Sequence, residues 1–64
     1  MFTINSEKLE KVVNLVNREI DPRATNDVVE QMICADWNEG EEHQDWLNNA
    51  SVREVVDWIS TFYN

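Results

Sequence analysis

Residues that punctuate or staple a small fold are nearly missing from this chain, which holds one glycine, one proline and one cysteine in 64 residues. Hairpins draw on glycine and proline at their turns, so a sheet of several strands has little to turn on. The lone Cys34 closes no intramolecular disulfide, which excludes the stapled scaffold of small secreted domains. No stretch approaches the ~20 apolar residues of a membrane span, and residues 1–7 show neither the basic start nor the apolar run of a signal peptide. A cytoplasmic protein is expected. Bases are scarce as well, five against 13 acids, for a net charge of -8. A polyanion of that kind repels phosphates and anionic lipid, so neither direct nucleic-acid binding nor membrane adsorption is expected.

What is present is helical periodicity. The predicted fold class is all-α, a compact single-domain bundle of three to four short helices near residues 6–20, 26–38, 41–49 and 52–63. Leu9, Val12, Val13, Val16 and Ile20 recur at the three- and four-residue steps of one helical face, after Ser6 as cap. Asp21-Pro22 stops that helix, because proline restricts its predecessor and donates no hydrogen bond. Thr25 or Asn26 caps the next, whose apolar arc is Val28, Val29, Met32, Ile33 and Ala35. Asp36 falls within that arc, so either the helix frays before it or Asp36 sits at the rim. Gly40 is a natural terminator. The third helix is short, with Trp46, Leu47 and Ala50 inward. Ser51-Val52-Arg53-Glu54 is a capping box that opens the clearest helix, with Val52, Val55, Val56, Ile59, Phe62 and Tyr63 on one side. Ser51 is thus read as a cap and not as part of the Asn49-Ala50-Ser51 glycosylation sequon.

The expected core is Val12, Val16, Ile20, Val29, Ile33, Leu47, Val52, Val56 and Ile59, thin because a domain this small buries only ~60% of its unfolded surface. Cys34 is read as a buried thiol among apolar neighbours. The tryptophans are read first as core, since large aromatics dominate small cores, and a half-exposed one beside carboxylates also suits an interface anchor.

Charge is segregated along the chain. Residues 1–23 balance four acids with four bases, and the remainder sets nine acids against Arg53 alone. The densest part, residues 36–46, frames a run of carboxylates with Trp37 and Trp46. Solubility needs only net charge, and mixing the signs would strain the fold less, so the segregation points to a binding face. Carboxylates at three- and four-residue helical steps lie ~5 to 6 Å apart, close to the repeat of a nucleic-acid backbone. The candidate partner-binding residues are Asp36, Trp37, Glu39, Glu41, Glu42, Asp45 and Trp46.

Other chemistry finds no template. Asp36-x-Asn38-x-Gly40 begins like a calcium loop, but the glycine comes one place early and the twelfth position is Leu47 where a bidentate glutamate is required. One histidine and one distant cysteine make no transition-metal set, so no metal or cofactor is expected and His43 is read as exposed. Cys34 has no cationic neighbour in sequence to make it a nucleophile, and a chain this thin offers little cleft for a desolvated carboxyl. No enzyme activity is expected.

In size and acidity the chain resembles the small phage-encoded inhibitors of host defence, including anti-CRISPR and anti-restriction proteins, a likeness of composition carried by no motif. The resemblance implies a DNA mimic that occupies the surface of a basic, nucleic-acid-binding protein, acting as monomer or homodimer. The alternative is a helical adaptor or regulatory subunit, homodimeric in one form, that binds through its tryptophans and its Val/Ile surface and uses its charge for solubility only. A hard-cation binder comes behind both.

Overall fold

The computed structural model describes residues 3–35 and 41–63, the side chains of Ala35, Glu41 and Glu42 excepted. Four helices follow one another: α1 (Ser6–Glu19), α2 (Asn26–Ala35), α3 (Glu41–Asn49) and α4 (Val52–Tyr63). No strand occurs among the described residues. The fold is the all-α bundle that the periodicity predicts. Its radius of gyration of 10.7 Å is that of a compact chain of this length, for which ~11 Å is expected.

The cap of α1 lies one residue earlier than predicted. Asn5 holds a non-helical ψ of 135°, and its Oδ1 accepts from the backbone N–H groups of Glu7 (2.9 Å) and Lys8 (3.3 Å). Its own carbonyl accepts the first helical bond, from Leu9 N–H. Asparagine is at least serine's equal at this position, so Ser6 is drawn into the first turn. At the other end Ile20 and Asp21 both donate to the Val16 carbonyl, and α1 stops at Glu19.

The connection to α2 is tightly bonded. Asp21 Oδ1 accepts from Arg23 N–H, an Asx turn across Pro22. Asn17 reaches out of α1 to donate to the carbonyls of Asp21 and Ala24. Thr25 then caps α2, its Oγ1 accepting from Val28 N–H at 3.3 Å. Residues 36–38, predicted as the end of this helix, lie outside the described residues, as do the two alternatives for Asp36 and the terminator Gly40.

Both halves of the capping box ahead of α4 are formed. Ser51 Oγ accepts from Glu54 N–H at 3.1 Å, and Glu54 Oε1 accepts from Ser51 N–H at 3.4 Å.

Helix α1 is the hub, packing on α4 and on α2. Val12, Val16, Val29, Ile33, Leu47, Val55, Val56 and Ile59 are fully buried, and Leu9, Val13, Ala24, Met32 and Ala50 complete the core. Seven of the nine predicted core residues are buried. Ile20 and Val52 are half-buried at its margin, where each helix begins or ends.

Two further expectations are corrected. Cys34 is exposed. On a helix it stands about 140° from Val29, so it faces away from the core despite its apolar neighbours. Phe62 and Tyr63, expected on the inner side of α4, are 46% and 42% exposed. Burial on α4 reaches Ile59 and goes no further.

Candidate functional site

The shortest helix, α3, is held to the body by polar ties as well as by Leu47 and Ala50. Lys8 Nζ, from α1, donates to the carbonyls of Leu47 and Asn48. Those are carbonyls of the last turn of α3, which no intrahelical N–H satisfies, so a cation from another helix caps it. Near its start Gln44 clasps the N-terminal arm. Its Oε1 accepts from Thr3 N–H at 2.9 Å and its Nε2 donates to Thr3 O at 2.8 Å. The same Nε2 also donates to Asn48 Oδ1.

These ties position the described part of the predicted site. Asp45 is exposed on α3, and Trp46 beside it is half-buried against the core. Glu41 and Glu42 occupy the first two positions of α3, their side chains outside the description. Asp36, Trp37 and Glu39 lie outside the described residues altogether. Of the seven predicted site residues, the structure thus describes the side chains of Asp45 and Trp46, neighbours on α3.

Trp46 also belongs to a cluster that sequence reasoning missed. His43 and Trp46 of α3 meet Trp58 of α4 edge to face, each pair of ring centroids 5.5 or 5.6 Å apart. Phe62 extends the cluster, edge to face on Trp58 at 5.3 Å. His43 is half-buried in it and not exposed as predicted. The signal was available: His43 and Trp46 stand three apart, Trp58 and Phe62 four apart, so each pair shares a helical face. What the spacing withholds is that the two faces meet.

The electrostatics are set by Arg53. Its Nη1 and Nη2 reach the two carboxylate oxygens of Glu19 on α1 at 2.7 and 2.8 Å, a bidentate pair. It also contacts Asp57 Oδ1, through Nε at 3.0 Å and Nη2 at 2.8 Å. The hydrogen bond from Arg53, with its charge, holds the Glu19 carboxyl below the usual glutamate range against a smaller opposing effect of desolvation. The same bond to Glu19, with help from Asp57, raises the already high pKa of Arg53. These are the only ion pairs among the described residues. Asp27, Glu30 and Asp45 are exposed and have none.

No family model, curated protein or solved structure matches this chain.

Proposed function

We propose that the protein is a non-enzymatic inhibitor, presenting an acidic, nucleic-acid-mimicking face to the basic surface of a nucleic-acid-binding protein. It is of the anti-CRISPR or anti-restriction kind, and works in the cytoplasm of the cell that makes it or of a host. The observation that carries this reading is the disposition of charge. All of the net -8 lies after Arg23, and the one base there, Arg53, is committed to Glu19 and Asp57. Asp27, Glu30 and Asp45, exposed carboxylates of this half that pair with no base among the described residues, leave their field for a partner. Support also comes from the scaffold: α3 is bonded to both α1 and the N-terminal arm, so little conformational entropy is lost when its charges are engaged.

The test is capture of binding proteins from a bacterial lysate, followed by elution. Release by duplex DNA or RNA, and by raising salt from ~50 to ~300 mM as the Debye length contracts below 10 Å, is the expected result. Bound proteins that resist both agents would overturn the reading.

A second reading, the helical adaptor, is favoured by one observation, the exposure of Phe62 and Tyr63 at the end of α4. It expects binding that is flat across the same salt range.

A further inference from the structure

The aromatic cluster is carried by α3 and α4, the two helices that also hold five of the nine acids after Arg23, and the two features together select a ligand chemistry. Phe62 and Tyr63 are the only exposed large hydrophobic residues among the described ones. Phe62 rests on Trp58 by one edge-to-face contact and keeps 46% of its surface open. Behind it Trp58, Trp46 and His43 meet edge to face, so the Phe62 ring stands on an aromatic base, with Tyr63 next to it in sequence. The helices that carry this cluster also carry Glu41, Glu42, Asp45, Glu54 and Asp57, with Arg53 as their only base.

An aromatic surface on an anionic body repels most occupants. A second copy brings its own -8, while nucleic acid and anionic lipid bring phosphates. A peptide cation is attracted to the carboxylates and to the negative ring faces alike. Between the two cations, guanidinium stacks flat on an aromatic ring, sheds its hydration more readily and pairs with carboxylates two bonds at a time. Lysine offers a point charge only.

We propose that the Trp58–Phe62–Tyr63 end of α4, braced by Trp46 and His43, docks an arginine-bearing segment of the basic partner protein. Guanidinium groups stack on the exposed rings while the net negative charge of the chain draws them in. This deepens the inhibitor reading and rests on it: the carboxylates supply long-range attraction, and the rings supply preference for arginine.

Oligoarginine and oligolysine peptides of equal length, titrated into the full chain by calorimetry at ~50 mM salt, test the assignment. Oligoarginine should bind tighter, by about two- to fivefold for each stacked contact. The exposed pair Phe62→Ala/Tyr63→Ala should erase that preference and leave a weaker, salt-sensitive affinity for both peptides. Phe62→Leu keeps apolar area without a ring face and, with Tyr63 still present, should reduce the preference, whereas Cys34→Ser, exposed on α2, should change nothing. Circular dichroism checks that each variant keeps its helices. Equal affinity for the two peptides, with salt dependence intact, overturns the stacking site and leaves the acidic reading standing. If neither peptide binds, both readings fall. A chain that sediments as a dimer dispersed by Phe62→Ala overturns the assignment in favour of self-association.

Discussion

Arg53 is shared between two carboxylates, and the nearer partner is on another helix. Glu19 is thereby held below its ordinary pKa, chiefly by the hydrogen bond from Arg53. A carboxyl depressed by folding contributes stability above its unfolded pKa and loses it as pH falls through the folded one, so this contribution disappears only under acid conditions. Following the Glu19 side-chain carboxyl by NMR through an acid titration should place its midpoint below the ordinary glutamate range. Arg53→Gln should raise it to the ordinary glutamate range; a midpoint unmoved by that change would contradict the assigned cause. At the same scale, Ile59 is fully buried. Truncation to alanine should cost roughly 2 to 5 kcal/mol by lost transfer energy and a residual cavity, read from urea melts. A cost under ~1 kcal/mol would mean that α4 does not seal the core. Legibility at this scale was uneven. Ile59 and Val56 follow from period alone, but Cys34 was placed by the company it keeps when its bearing on the helix was the better guide.

Specific polar groups hold the helix ends of this bundle, in addition to the core between the helices. The Ser51–Glu54 box was legible because its two partners are three residues apart and its chemistry is local. Ser51→Ala should destabilise by about 0.5 to 2 kcal/mol, and a change within error would show that the box carries no energy. The Lys8 cap on α3 was not legible, since 39 residues separate donor and acceptor. Lys8→Met should leave α1 intact and lower hydrogen-exchange protection across the last turn of α3. Equal loss in α1 and α3 would point to general destabilisation and not to a lost cap. The aromatic cluster was illegible for the same reason: each helix announces a ring pair, and only the packing of α3 on α4 closes the set.

For the molecule as a whole, the fold was legible because scarcity of turn residues and a repeating apolar face both require helices, and packing them needs no unusual residue. The proposed binding surface rests on charge, which the sequence shows, and on shape, which it does not. Charge counting finds the acidic half, while the open rings of Phe62 and Tyr63 depend on where burial along α4 ends. The central claim is that the carboxylates between Asp36 and Asp45, and not net charge in general, engage the partner. Two matched double reversals test it most directly, Glu39→Lys/Glu42→Lys in the acidic half and Glu7→Lys/Glu10→Lys on the charge-balanced first helix, with affinity for the captured partner measured for each. Both change net charge equally, and melts show whether each stays folded. The account predicts a large loss for the Glu39/Glu42 pair, because each new cation meets a basic surface and like-charge contacts cost several kcal/mol, with little change for the Glu7/Glu10 pair. Equal losses in two folded variants, or no loss in either, would contradict it.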